Sequence, residues 1–230
     1  MHSLTLIQKI VIFVLPVLLA ITMHEAAHGW VAKKLGDRTA EMLGRVTLNP
    51  IKHIDPIGTI VVPFVVYMLS GFIFGWAKPV PVNWKNLHNP RRDMALVALA
   101  GPAANLMMAF FWSLMIHLGF QFVETHQWFA LPLMLMGVAG VLINTLLMAL
   151  NLIPIPPLDG GRILTALLPP KMALLYAGIE RYGLFIMVAL LVSGMLGNIL
   201  MPLITFTISL LPASDMVSQL LPVILNPARS

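Results

Sequence analysis

The sequence predicts an all-α polytopic membrane protein with about five to six transmembrane segments, a re-entrant segment and a small β element. Three observations predict this class. Apolar residues make up 59% of the 230 residues, whereas charged residues make up 10%, against about 25% in soluble domains. The apolar residues are also grouped in runs of the roughly 20 residues that cross a bilayer. A mean hydropathy of +0.89 excludes both an ordinary soluble enzyme and an intrinsically disordered chain.

The charges and the cysteine content narrow the possible partners and cofactors. The net charge is +5, but the basic residues lie mostly in short loops beside apolar runs, where they orient membrane helices. We therefore expect the lipid bilayer as a partner and no nucleic acid. The chain contains no cysteine, which excludes disulfides and thiolate metal sites. A bound metal would need histidine, carboxylate or water ligands.

We expect one membrane domain over residues 1–230, with a core over residues 5–168 and C-terminal helices over residues 182–212. The first apolar run covers residues 10–32 and is long enough for a spanning helix. Pro16 lies inside it and is expected to kink that helix.

Two shorter features follow the first helix. Residues 44–48 alternate and are partly β-branched, a pattern that predicts a short strand. Residues 57–75 are apolar but are broken by Pro63 and Gly71. We expect this stretch to enter and leave the membrane on one face, as a re-entrant hairpin.

The remaining elements are helical. Residues 93–120 are rich in small residues, which let helix backbones approach closely in membranes. Residues 128–152 form the next helix, and a segment with three prolines in four positions ends it. Residues 184–211 are apolar but contain Gly194 and Pro202, so we expect two short segments there.

The motif His24-Glu25-Ala-Ala-His28 is the strongest chemical signal. Residues four apart share one face of a helix, so the two imidazoles can share one metal ion. Glu25 lies about 100° round the helix from His24, beside the metal rather than on it. This is the HExxH pattern of zinc peptidases, with the glutamate as general base. Burying a charge in a bilayer costs about 2.5 kcal/mol or more, which argues against a chance occurrence.

A catalytic zinc normally has three protein ligands and a water, so a third ligand is needed. Asp159 is one candidate, because it follows a membrane helix through an unwound, proline-held segment. The alternative is that Asp159 caps a helix that starts near Gly161. The other acidic residues are less well placed: Asp37, Glu41, Asp55 and Asp93 lie in polar loops, and Glu124 lies toward the far side.

Three stretches, taken together and in order, resemble the signatures of the site-2 protease family, the intramembrane zinc metalloproteases of peptidase family M50. They are His24-Glu-Ala-Ala-His28, Ala100-Gly-Pro-Ala-Ala-Asn105 and Asn151-Leu-Ile-Pro-Ile-Pro-Pro-Leu-Asp-Gly-Gly-Arg162. Two further stretches, Phe74-Gly-Trp-Ala-Lys-Pro-Val-Pro-Val-Asn83 and Asn89-Pro-Arg-Arg92, resemble the compact bacterial branch of that family, without PDZ or CBS domains. The resemblance covers roughly residues 21–167.

The resemblance implies a zinc metalloendopeptidase that cleaves transmembrane segments of membrane proteins, in regulated intramembrane proteolysis or in clearance of membrane peptides. It implies Zn²⁺ as the cofactor, with His24, His28 and Asp159 as ligands. Glu25 would be the general base and Asn151 would steady the transition state. Asn105 would lie near the substrate cleft. The expected location is a bacterial inner membrane.

The metal hypothesis also constrains the topology. His24 and Asp159 must lie at similar depth, so the first helix and the helix over residues 128–152 must run parallel. Residues 36–56 and 76–92 are both basic, which predicts that both are cytoplasmic. The stretch between them would then be re-entrant. We expect the N-terminus outside and the active site toward the cytoplasmic side.

Two further hypotheses complete the sequence-based account. The strand predicted over residues 44–48, centred on Val46, could pair with an extended substrate. The rival to proteolysis is a transporter or channel that moves zinc or protons through the membrane-embedded His, Glu and Asp cluster. The substrate and the oligomeric state are left open.

Overall fold

The computed structural model describes residues 4–61, 68 and 78–225, and this part of the chain is helical with no strand. It contains four helices that are long and apolar enough to cross a membrane: Ile7–Lys34, Pro90–Gln121, Gln127–Asn151 and Pro170–Val192. The prediction of a polytopic helical membrane protein is thereby confirmed. The number of crossings, about five to six, stays a prediction.

The α-helices of the described residues are numbered in chain order. They are α1 (Leu6–Lys34), α2 (Thr39–Met42), α3 (Pro90–Gln121), α4 (Gln127–Asn151), α5 (Asp159–Leu167), α6 (Pro170–Ala177), α7 (Gly183–Val192), α8 (Met195–Ser209) and α9 (Ser214–Leu225). Short turns of 3₁₀-helix cover Pro50–His53, Trp84–Asn86 and Gly178–Tyr182, and a π-helical turn covers Pro56–Val61.

Both ends of α1 follow from local chemistry. The Thr5 hydroxyl accepts a hydrogen bond from the Gln8 N–H, and the Gln8 side chain accepts one from the Thr5 N–H, which makes a capping box. Lys33 and Lys34 occupy the last turn, where positive charge complements the helix dipole. The helix continues through Pro16.

Helix α3 runs antiparallel to α1. His28 of α1 contacts Val97 near the start of α3, whereas His24, one turn earlier in α1, contacts Asn105 two turns later in α3. Moving forward along one helix therefore means moving backward along the other.

Helix α4 in turn runs antiparallel to α3, and small residues bring the two backbones together. A Cβ added to Gly140 of α4 would overlap the Trp112 ring, and a Cβ added to Gly119 of α3 would overlap Met134. Such close approach is typical of membrane helix pairs. Because α3 is antiparallel to both neighbours, α1 and α4 run parallel, as a shared metal requires.

The C-terminal apolar stretch is divided at Gly194, which has a left-handed backbone conformation with φ of 74°. Helix α7 ends at Val192 and α8 begins at Met195, so the prediction of two short segments is confirmed. Helices α7 and α8 pack against the end of α4 through a buried apolar cluster: Ala149, Ile153, Met187, Leu196, Leu200 and Ile204.

The predicted strand over residues 44–48 is wrong, because this stretch forms bends. Gly44 has a positive φ of 63°, which turns the chain out of an extended path. Arg45 is 8% exposed and donates to the main-chain oxygens of Lys78 and Pro79. A strand needs a ladder partner, and the described residues supply none.

The predicted re-entrant hairpin over residues 57–75 falls largely outside the described residues. Its first residues belong to the π-helical turn Pro56–Val61. Pro63 and Gly71, the expected breaking points, are not among the described residues, so the hairpin stays a prediction.

Candidate metal centre

The two histidines of the HExxH motif lie one above the other on α1, facing α3. Their ring centroids are 4.7 Å apart, with the planes almost perpendicular. The residue opposite them on α3 is Gly101, and a Cβ there would overlap both imidazoles. The glycine of the Ala-Gly-Pro stretch therefore makes the space that the histidines fill.

Asp159 reaches the same place from the start of α5. Leu158 is the N-cap residue of this helix, so the carboxylate of Asp159 does not serve as the cap that the sequence left as an alternative. Gly160 and Gly161 follow, and a Cβ on either would overlap the backbone of residues 152–156. The two glycines thus allow the chain to fold back tightly and point Asp159 toward α1.

The three side chains form a compact triangle of potential ligand atoms. Oδ2 of Asp159 lies 3.3 Å from Nε2 of His24 and 3.3 Å from Nε2 of His28, and the two Nε2 atoms are 3.1 Å apart. A tetrahedral zinc ion with ligands at about 2.0 Å separates those ligands by about 3.3 Å. Oδ2 of Asp159 is buried and receives no hydrogen bond of ordinary geometry from the described residues. The donor set therefore fits one zinc ion.

Hydrogen bonds on the far side of each ring leave the Nε2 atoms free to bind a metal. Nδ1 of His24 lies 2.6 Å from Oδ1 of Asn105, and Nδ1 of His28 lies 2.7 Å from the main-chain oxygen of Val97. These oxygens only accept, so each neutral imidazole carries its hydrogen on Nδ1. Both Nε2 atoms are then acceptors, and each lies 3.3 Å from Oδ2 of Asp159. Three such acceptors repel one another unless a cation lies between them.

Glu25 is half-buried beside this triangle and is held by the chain itself. Its Oε2 accepts a hydrogen bond of 2.7 Å from the main-chain N–H of Val80. The segment that carries Val80 is fixed two residues earlier, at Lys78: Arg45 donates to the Lys78 oxygen, and the Lys78 N–H donates to the His53 oxygen. Arg45, which lies in the stretch wrongly predicted as a strand, thus supports the backbone that holds Glu25.

The other three predicted site residues, Asn151, Asn105 and Val46, are not part of the triangle of potential ligands. Asn151 lies in the last turn of α4, and its amide donates to the Leu147 oxygen of the same helix. Asn105 is completely buried behind His24, a position that favours holding the imidazole over contacting substrate. Val46 packs against α1 near Gly29, whose added Cβ would contact the valine methyl.

A second polar cluster holds the loops around the site. Asp37 is completely buried and accepts hydrogen bonds from the Thr39 hydroxyl and N–H, the Asn83 N–H and the Asn86 amide. Burial raises the pKa of Asp37, but these hydrogen bonds outweigh it and the pKa lies below its ordinary value. The carboxylate therefore ties the end of α1 to the segment that precedes α3.

Sequence reasoning missed two contributors to the site, the Val80 N–H and the Val97 oxygen. Both are main-chain groups, which no residue type reveals. It also missed Gly101 as the residue that accommodates the histidines, although its place inside a family motif was an available signal.

Comparison with known proteins gives a consistent result. A family model described as Peptidase family M50 matches residues 12–194. The chain is 38% identical over 192 residues to the candidate zinc metalloprotease YwhC of Bacillus subtilis (strain 168), covering 83% of this chain and 84% of that protein.

More distant relatives carry the same description. The candidate zinc metalloprotease Rip2 of Mycolicibacterium smegmatis is 32% identical over 178 residues, which are 76% of this chain and 64% of that protein. Rip2 of Mycobacterium tuberculosis (strain H37Rv) is 28% identical over 75% of this chain and 63% of its own length. The chain thus spans less than two thirds of either Rip2 protein. No solved structure matches the chain at a significant level.

Proposed function

Because this chain belongs to peptidase family M50, we propose that it is an intramembrane zinc metalloendopeptidase that cleaves transmembrane segments of membrane proteins. One observation carries the proposal: His24, His28 and Asp159, from two separate helices, bring three potential zinc ligand atoms within 4.8 Å of one another. The acidic neighbour in the motif, Glu25, supplies the base that peptide hydrolysis requires.

The chemistry follows from these residues. Zinc held by the two imidazoles and the carboxylate of Asp159 would supply a water that is nucleophilic near neutral pH. Glu25 would take the proton of that water and pass it to the leaving amine. One oxygen of Glu25 is already held by the Val80 N–H, which orients the carboxylate and leaves its other oxygen for the proton. The Asn151 amide would donate to the developing oxyanion.

The membrane setting argues for a membrane-embedded substrate. Two of the candidate ligands lie on α1, and the third, Asp159, begins α5, which follows α4 through residues 152–158. Helices α1 and α4 are both long and apolar enough to cross a bilayer. The outward faces of these helices and of α3 expose large apolar side chains suited to lipid. A substrate helix hides its amides in hydrogen bonds, so it must unwind locally before its carbonyl can be attacked.

We also propose an orientation, with the N-terminus outside a bacterial inner membrane and the site toward the cytoplasm. Lys33 and Lys34 end α1, and Arg91 and Arg92 begin α3, on one side of the helices. The link at residues 121–127 on the other side contains no Lys or Arg. This asymmetry favours a cytoplasmic position for the basic side.

The test combines zinc content with cleavage of a panel of single-pass membrane proteins in detergent and in liposomes. Glu25→Gln should retain stoichiometric zinc and lose cleavage, because it removes the base and not a ligand. Glu41→Gln, an equivalent change of a glutamate of α2 that pairs with Lys33 and Arg38, should cleave like the wild type. If the wild type and Glu25→Gln both carry zinc across liposomes without cleaving any substrate, the protein is a transporter and the proposal is wrong.

A further inference from the structure

A chain of buried hydrogen bonds runs away from the candidate metal centre into the contact between α3 and α4. Nδ1 of His24 contacts Oδ1 of Asn105 at 2.6 Å. Nδ2 of Asn105 donates to Oδ1 of Asn144 at 3.0 Å, and Nδ2 of Asn144 donates to the Gly140 oxygen at 2.8 Å. Neither asparagine side chain is accessible to solvent or lipid, since both residues are 0% exposed.

The donor-to-acceptor direction of this series of hydrogen bonds is set at the Gly140 oxygen, its end farthest from the candidate metal centre. The Gly140 oxygen can only accept, so Asn144 must turn its NH₂ group toward it and its oxygen toward Asn105. Asn105 must then present its NH₂ group to Asn144. The Ala20 oxygen lies 3.3 Å from the same nitrogen and favours the same orientation, but through a longer and weaker contact than that to Asn144. The oxygen of Asn105 is left facing His24, which therefore carries its hydrogen on Nδ1.

The two histidines of the candidate metal centre differ in whether the partner of Nδ1 can change from an acceptor to a donor. The partner of His28 is the main-chain oxygen of Val97, which can only accept. The partner of His24 is an amide that could rotate by half a turn and present N–H instead. That rotation would make Nδ1 of His24 the acceptor and move its hydrogen to Nε2, inside the triangle with Asp159, where it would block metal binding.

We propose that Asn144 is a positioning residue that keeps the Asn105 amide in one orientation and thereby holds His24 in its metal-binding tautomer. It acts through Asn105 and has no need to contact the metal or the substrate. The inference rests on the proposed zinc site. The proposed role of Asn144 goes beyond helix packing. An apolar side chain at position 144 would also pack α3 against α4, and it would not bury an amide group.

The test uses Asn144→Leu, which keeps the branching pattern of the side chain and removes the acceptor for Asn105. The control is Thr145→Val, since Thr145 is the next residue, is equally buried and bonds only to main-chain oxygens of its own helix in the described structure. Two quantities are measured on folded protein in detergent. The first is the tautomer of His24 in metal-free protein, from the ¹⁵N chemical shifts of its ring at a pH where the imidazole is neutral. The second is zinc affinity, from competition with a chelator.

We expect wild type and Thr145→Val to show the Nδ1–H form and equal zinc affinity. Asn144→Leu should show a mixture of tautomers and bind zinc about 10- to 100-fold more weakly, the usual effect of losing an outer-shell partner. Adding Asn105→Asp to Asn144→Leu should restore the Nδ1–H form, because a carboxylate accepts from His24 in either orientation. A purely structural role for Asn144 predicts no such rescue.

An unchanged tautomer and unchanged affinity in Asn144→Leu would overturn the inference, as would an equal loss in Thr145→Val. If Asn144→Leu does not fold, the smaller Asn144→Ala provides the same comparison, because it also removes the acceptor for Asn105. Failure of the wild type to bind zinc would instead count against the proposed function, and the tautomer measurement would still decide the role of Asn144.

Discussion

Oδ2 of Asp159 lies 3.3 Å from Nε2 of His28, although two long apolar helices of the described residues, α3 and α4, come between α1 and α5 along the chain. The contact requires that α1 and α4 run parallel and that the chain fold back after α4. The proposed zinc ion, shared between α1 and α5, would account for this arrangement.

Removal of the Asp159 charge is expected to abolish metal binding. Asp159→Asn keeps the shape of the side chain but offers only a weak amide oxygen, so zinc affinity should fall more than about 100-fold, the upper range for outer-shell changes. Equilibrium competition with a chelator measures this. Asp215→Asn, on exposed α9 surface, is the matched control and should bind zinc normally; equal affinities for the two variants would contradict the ligand assignment.

Gly101→Ala is expected to disrupt the candidate metal centre by steric overlap alone. Its Cβ would overlap both imidazoles, so we expect a loss of zinc and a destabilisation of about 1–3 kcal/mol from overpacking. Gly197→Ala on α8 is the control, because a Cβ there has no neighbour within 4 Å. Zinc content and thermal unfolding in detergent compare the two. Normal zinc binding by Gly101→Ala would show that the histidines do not occupy this space.

The hydrogen bond from the Val80 N–H to Glu25 can be removed without changing any side chain of the HExxH motif. Val80→Pro lacks the N–H, and a hydrogen bond to a charged group contributes about 1.5–3 kcal/mol. We therefore expect turnover to fall about 10- to 100-fold while zinc is retained. Val80→Ala keeps the N–H and introduces no polar group into this buried position, so it should cleave much faster than Val80→Pro. Equal turnover of the two variants would mean that this bond does not orient the base.

Asp37 predicts a specific dependence of stability on pH. Its pKa lies below the ordinary value of 3.8, because its hydrogen bonds favour the carboxylate. The ionised form therefore stabilises the fold fully above that ordinary value, and the stabilisation is lost as the pH falls through the lower, folded-state pKa.

Asp37→Asn should be less stable than the wild type at pH 7, by about 1–3 kcal/mol for the lost charge-assisted bonds. The difference between the two proteins should shrink as the pH falls below 3.8. Thermal unfolding at several pH values measures it. A difference that stays constant from pH 7 to acid would contradict the role of the charge.

The three side chains that form the candidate metal centre could be selected from the sequence because each lies in a recognisable local pattern. His24 and His28 lie four residues apart on a helix, and Asp159 follows an unwound, proline-rich segment. The supporting groups could not be predicted in the same way. The Val80 N–H and the Val97 oxygen are main-chain atoms brought to the site only by tertiary folding.

The failed strand over residues 44–48 shows a related limit. Its alternating pattern is real, but the inward side chain is Arg45, whose guanidinium bonds to the backbone that supports Val80. Asn105 depends on the tertiary fold in the same way, because its contact with His24 joins residues 81 positions apart; its expected place near the substrate cleft stays a prediction. In both cases the decisive contact joins residues far apart in the sequence.

Zinc X-ray absorption spectroscopy on the purified protein tests the central claim most directly. We predict stoichiometric zinc with two imidazole nitrogens and oxygen ligands at about 2.0–2.2 Å, and loss of that signal in Asp159→Asn. Zinc bound without imidazole, or protein that folds and takes up no zinc when the metal is supplied, would contradict the account.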